Sequence, residues 1–340
     1  MIKKLLFALG IFSSLTAFSQ VGGTSVYSFL NVTPSARISG LSGLHLAHPD
    51  ADVSFGFVNP SLLNPEYSGQ MGFHYVALAA DVSLGEVAYA QDFKKYGTFM
   101  AGFKYAYYGD FQRTLVNAQV VGQFTAADHM FQMGWGYALD TNWNVGANLK
   151  LINGAYAEFS SWGVAVDIAA TYRVPNTQII MSMMAKNTGY QVTPFSNATE
   201  TLPFDLQYSI SQRFKHVPLR WGIHLEKLQQ WDLTYNDPNA YTRDFVTGEL
   251  VYNEPDFWNK LIRHVALSAE LSPSEKFYLN IGYHFRQQLE MGIPTRRSSA
   301  GLSFGLGFKL YKFKLGYSNT NLNVAGRMHH ISITTRLGDF

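Results

Sequence analysis

Few residues in this chain have types and spacing suited to chemistry, and they gather near its start. His45, His48, Asp50 and Asp52 fall in one short stretch, LHLAHPDADV, and imidazole with carboxylate is a metal-ligating combination. Buried polar groups are nearly always hydrogen-bonded, so a hydrogen-bonded plug is the preferred reading over a ligand sphere. His329 and His330 form the only adjacent pair among 10 histidines. Neighbours on a strand point to opposite faces, which keeps the two from sharing a metal. G-x-S-x-G, S-x-x-K, H-E-x-x-H and G-x-x-x-x-G-K-[ST] are all absent. No catalytic residue, metal site or cofactor is expected, and the chain reads as non-enzymatic.

The elements that would carry such residues are set by composition. Only 15% of residues are charged, against roughly 25% in an average soluble domain, while Gly 29, Tyr 20 and Phe 25 are high counts. The first residues, MIKKLLFALGIFSSLTAFSQ, place Lys3 and Lys4 before an apolar run from Leu5 to Leu15 and then Ala17-Phe18-Ser19, the three-part layout of an export signal over residues 1–19. Of 26 basic residues two lie in that signal, which leaves 24 against 24 acidic ones and gives nucleic acid no electrostatic handle. The absence of cysteine excludes a disulfide framework and a lipidated N-terminal cysteine. After the signal no apolar run is long enough for a spanning helix. A membrane position therefore requires a closed β-barrel, the other architecture that satisfies every backbone group in lipid.

Period-two alternation supports the barrel. From 276 to 286, Phe277, Leu279, Ile281, Tyr283 and Phe285 face one way, and Lys276, Tyr278, Asn280, Gly282, His284 and Arg286 the other. Leu302, Phe304, Leu306 and Phe308 alternate with Ser303, Gly305, Gly307 and Lys309, and Val145–Leu151 repeats the pattern against Asn148 and Lys150. Grease on one face and small or polar residues on the other suit lipid outside and a polar lumen inside. Fifteen candidate strands can be marked, beginning near 69, 84, 98, 113, 128, 142, 160, 176, 203, 218, 261, 275, 298, 312 and 328. Treating 113–125 as loop makes short and long connections alternate, as in outer-membrane barrels, and leaves fourteen antiparallel strands over 69–340. Both ends of the barrel then lie on the periplasmic side.

Residues 20–68 lack alternation yet are too apolar for a solvated tail. They read as an N-terminal hatch in the barrel mouth, with Asp52, Phe55, Phe57, Asn59 and Pro60 as its candidate residues. Pro60 fixes φ and removes a donor, so the chain turns there before the first strand. The connection over 231–260 carries Trp231, Tyr235, Tyr241, Phe245, Tyr252, Phe257 and Trp258 among acidic residues. Aromatics are enriched at protein interfaces. A partner-docking surface and a loop folded over the barrel mouth both fit, and Trp231 and Trp258 also suit an interfacial girdle.

The openings GGTSVYSFLNVTPSARISGLSG and DVSFGFVNPSLL resemble those of the PorQ family of the Bacteroidetes type IX secretion system. YYGDF (Tyr107 to Phe111), LPF (Leu202 to Phe204), PLRWGIHLEKLQQWDL (Pro218 to Leu233) and Arg263-His264 extend the resemblance over nearly the whole mature chain. The resemblance implies a FadL-like, PorV-like all-β fold: a fourteen-stranded barrel with a hatch, in the outer membrane of a Gram-negative bacterium. It also implies a non-enzymatic component of the attachment complex, holding a PorZ-like surface protein that works with the PorU sortase and PorV beside lipopolysaccharide. The alternative is a FadL-like transporter of hydrophobic small molecules with the hatch as gate.

Overall fold

In the computed structural model, which describes residues 25–48, 52–78, 80–234, 241–243, 248, 250–252, 255–292, 298–322 and 326–339, the alternating segments become the wall of a closed barrel. The export signal lies outside these residues. The strands run β1 Gln70–Ala77, β2 Ser83–Asp92, β3 Thr98–Thr114, β4 Val120–Ala138, β5 Trp143–Tyr156, β6 Phe159–Arg173, β7 Ile179–Thr193, β8 Asp205–Arg213 and β9 Leu219–Leu225. A separate hairpin follows, β10 Tyr241–Arg243 with β11 Leu250–Tyr252. The wall resumes with β12 Val265–Ser274, β13 Phe277–His284, β14 Leu302–Leu310, β15 Phe313–Asn321 and β16 Arg327–Arg336. β9 pairs directly with β12, and β16 closes on β1, so fourteen antiparallel strands make the wall.

The two faces sort as the alternation predicts. Phe73, Phe103, Leu149, Ile168, Ile281 and Phe304 are exposed on the outside, while Lys150, Asp167, Ser209, Glu270, Asn280 and Ser303 are buried inside. Burying so much polarity within and leaving so much grease without is stable only with lipid around the wall. Among the described residues no helix is long and apolar enough to cross a membrane.

One expectation fails. Residues 113–125 are not a loop: β3 continues to Thr114 and β4 begins at Val120, paired from Asp110↔Thr125 to Thr114↔Val120. At 17 and 19 residues these strands exceed the ~9–11 that a tilted spanning strand needs, and the surplus stands beyond the wall as a two-stranded ribbon. A strand near 113 is among the fifteen candidates; it is the far end of β3 and the start of β4 rather than a wall strand of its own, so it adds length without changing the count.

The N-terminal segment fills the lumen with short helical turns. They are a 3-10 turn at Ser28–Asn31, helix α1 at Ala36–Gly40, helix α2 at Phe55–Val58, and 3-10 turns at Pro60–Leu62 and Pro65–Tyr67. Asn59 caps the turn at Pro60, its side chain accepting from the Ser61 amide, and proline occupies the first position, where no donor is required. The segment starts at the outer end, where Ser25 bridges Thr201 and the Val26 amide donates to the Thr201 carbonyl. It then descends the lumen to β1 at the end carrying the short turns. Ile38, Leu41, Leu46, Phe55 and Leu62 pack with Ala169 and Met184 of the wall, each large side chain contributing about 1.5–3 kcal/mol of burial.

Candidate functional site

The candidate site is the lumen and the segment that divides it. α1 has a cavity on either side. The outer one, of about 250 Å³, is lined by Ser39, Ser42, Lys186, Glu226, Arg286 and His330 among others. The one toward the short turns, of about 840 Å³, is lined by Arg37, Asp52, Glu270, Lys314 and Arg336 among others. Arg37 and Ser39 of α1 thus look into different compartments.

Charged and imidazole groups hold α1 to the wall. Arg37 donates to both oxygens of Glu270 on β12, from Nε at 2.9 Å and from Nη2 at 2.7 Å. His48 lies 3.0 Å from Glu270 Oε1, and the guanidinium sits 4.7 Å from the Tyr278 ring centroid. Asn280 Nδ2 donates to the Arg37 carbonyl at 3.1 Å, and Ser39 Oγ meets His330 Nε2 at 2.8 Å. His45 Nδ1 and His224 Nε2 share a hydrogen bond of 2.9 Å, with Ser268 and Ser209 bonded to the same His224 ring. Burial lowers His45 well below the ordinary histidine range, and the neighbouring His224 lowers it further. Burial also lowers His48, with Glu270 partly offsetting it. For Arg37 burial is outweighed by Glu270, which raises the guanidinium further above the ordinary arginine range.

Below α2 the contacts are neutral. Asn59 Nδ2 donates to the Leu46 carbonyl at 2.7 Å, and Asn59 Oδ1 accepts from the Ser61 amide and hydroxyl. Ser61 Oγ bonds Thr171 Oγ1 at 2.7 Å, which bonds Ser182 Oγ at 2.7 Å. The backbone approaches so closely that a Cβ at Gly136 would lie 2.6 Å from the Pro60 carbonyl oxygen, and one at Gly146 would overlap Pro60 outright.

All five residues singled out in the segment, Asp52, Phe55, Phe57, Asn59 and Pro60, are buried. Asp52 accepts from the Ser54 amide and hydroxyl; burial alone would raise its carboxyl, but His74 and Ser54 hold it below the usual range. Of the outer aromatics, Trp231, Phe257 and Trp258 come together: Trp231 packs on Phe257 at 5.3 Å and on His264 at 5.7 Å, and all three are half exposed or more. Phe257 and Trp258 open helix α3, Phe257–Ile262, whose cap is the Asp256 carboxylate. Tyr241 and Tyr252 are register partners in the β10–β11 hairpin. Tyr235 and Phe245 lie outside the described residues. His329 and His330 take opposite faces, His329 beside Tyr317 and His330 inside. Among the described residues no group of three or more His, Asp or Glu is placed to hold a metal ion.

Sequence reasoning missed Arg37, Glu270, His224 and Lys186. Glu270 lies 233 residues from Arg37, so no local pattern joins them. The one available signal was that all of them fall on inward positions or in the unalternating segment.

No family model matches the chain, and no curated protein does. Solved structures do. The toluene transporter TbuX of Ralstonia pickettii is similar at a TM-score of 0.54 and 13% identity, over 92% of this chain and 100% of that one. The deltaS2 variant of TodX, a monoaromatic hydrocarbon channel, gives 0.51 and 11%, over 88% and 96%. A FadL homologue of Pseudomonas aeruginosa gives 0.50 and 10%, over 93% and 100%. At such identities the likeness is one of fold: this chain has the FadL-like outer-membrane barrel architecture.

Proposed function

We propose that the protein is a gated FadL-like conduit of the outer membrane, with the N-terminal segment as hatch. The carrying observation is the lumen itself: two cavities separated by one helix of five residues, α1, that is held by side-chain contacts. The structural neighbours named as a toluene transporter and a monoaromatic hydrocarbon channel support small-molecule passage through this architecture. The test is solute entry into liposomes containing the purified barrel. Entry of a small aromatic solute above that of empty liposomes, and faster entry when Glu270→Gln loosens α1, are expected; no entry with either protein overturns the reading.

A second reading is favoured by a separate observation, the exposed cluster of Trp231, Phe257 and Trp258 at the outer rim. Together with the PorQ resemblance it supports a non-enzymatic anchor for a PorZ-like surface protein, working with PorU and PorV. Replacing Trp231, Phe257 and Trp258 by alanine is expected to release the partner from native outer membranes while the barrel stays folded. Full retention of the partner counts against the docking role.

A further inference from the structure

Lys186, on the inward face of β7, differs from the other two buried lysines of the lumen. Lys150 is held by Asp167 at 2.7 Å and by Asn187 at 2.8 Å, and Lys104 donates to the Val32 carbonyl. Lys186 is only 9% exposed and lines the outer cavity, yet its ammonium makes no hydrogen bond or ion pair to any described residue. The acids around that cavity are already engaged. Asp205 accepts from the Lys227 amide and from Gln207, both at 2.6 Å. Glu226 is clasped by Arg286 and lies 3.2 Å from His284, and Glu290 takes the remaining Arg286 donor.

Its side chain is largely buried and its ammonium faces the cavity, and a wall that provides that charge with no acceptor leaves the place for an anion from outside. The same cavity presents apolar side chains, Val32, Leu44, Met291, Leu322 and Met328. Its volume of about 250 Å³ is below the ~300–1,000 Å³ of pockets for drug-sized ligands. Asp205, Glu226 and Glu290 would repel a second negative charge. We propose that the outer cavity binds a compact organic monocarboxylate, its carboxylate paired with Lys186 and its apolar body against Leu44, Leu322 and Met328. This deepens the conduit reading and rests on it for the ligand's passage, though not for its binding. It also sets this barrel apart from neighbours named for uncharged hydrocarbons.

The test titrates benzoate and benzyl alcohol, equal in body and different in charge, into the full-length barrel in detergent micelles by calorimetry. Benzoate is expected to bind at least about tenfold tighter, a ratio worth about 1.4 kcal/mol. Lys186→Met should remove that preference and Lys186→Arg should retain it, with folding checked by heat-modifiable gel migration. Equal binding of the two probes by the native protein, or benzoate preference surviving in folded Lys186→Met, overturns the proposal. If Lys186→Met does not fold, the probe ratio in the native protein and in Lys186→Arg decides. Benzoate binding without entry of any solute into liposomes leaves the site standing and sinks the conduit; entry of neutral solute without benzoate preference does the reverse.

Discussion

Around Asn59 the N-terminal segment meets β4, β5 and β6 through hydroxyls, an amide and bare glycine backbone, whereas around α1 it meets β12 to β16 through a guanidinium, a carboxylate and imidazoles. The first contact is neutral, fully buried and built on close approach; nothing in it changes with pH or with a passing ion. The second is held by charge, and a charge pair loses its balance when one partner is neutralised. The difference gives the segment a fixed end and a releasable end. β4, β5 and β6 are also among the longest strands, so the fixed end rests on the more extensively paired half of the wall.

The largest test of this contrast is Glu270→Gln. It keeps the side chain's size but neutralises the carboxylate to which Arg37 donates twice, and breaking a buried pair of this kind costs about 3–5 kcal/mol. α1 should leave its seat while the Asn59 contact persists. Limited proteolysis should then cut within 36–48 and not within 59–64, and conductance in planar bilayers should rise. Cleavage at both places would mean that the segment is held as a single unit. On the fixed side, Asn59→Ala removes the donor to the Leu46 carbonyl and the acceptor for Ser61, leaving buried groups unpaired at about 1–3 kcal/mol. Cleavage should shift to 59–64, with α1 still protected by Glu270. An unchanged cleavage pattern would show that the packing at Gly136 and Gly146 suffices without the amide.

The wall was largely legible in the sequence because lipid and lumen impose opposite demands on successive residues, and Ile281 against Asn280 or Phe304 against Ser303 record both. The ribbon at 110–125 was legible only as a surplus strand near 113, because a ribbon exposed on both faces does not show that it lengthens β3 and β4 instead of adding to the wall. The segment's position could be inferred from its apolar residues, and Asn59-Pro60 from turn chemistry. Its partners could not: Arg37 finds Glu270 and His45 finds His224 only when distant strands close the barrel. Phe257 and Trp258 could be grouped because they are neighbours at the start of α3, whereas Trp231 joins them only when the chain returns to the rim after the β10–β11 hairpin.

Acidity offers a milder way to separate the two contacts. His45 and His48 are lowered from the ordinary value of 6.5, so the seated segment binds fewer protons than a displaced one. By linkage, seating is unaffected above about pH 6.5 and weakens as pH falls below it, by up to ~1.4 kcal/mol per pH unit for each such histidine until its own lowered value is reached. His45 faces His224, His48, Arg220 and Arg37, all of which oppose its protonation, while Glu270 beside His48 softens the effect there. Hydrogen exchange between pH 7 and 5, corrected for intrinsic rates, should show faster opening at 36–48 and no change at 59–63. His45→Gln, which cannot take up a proton, should flatten most of that dependence. Equal loosening of both stretches in the native protein would place the pH response in the barrel as a whole and remove the distinction between a fixed and a releasable end.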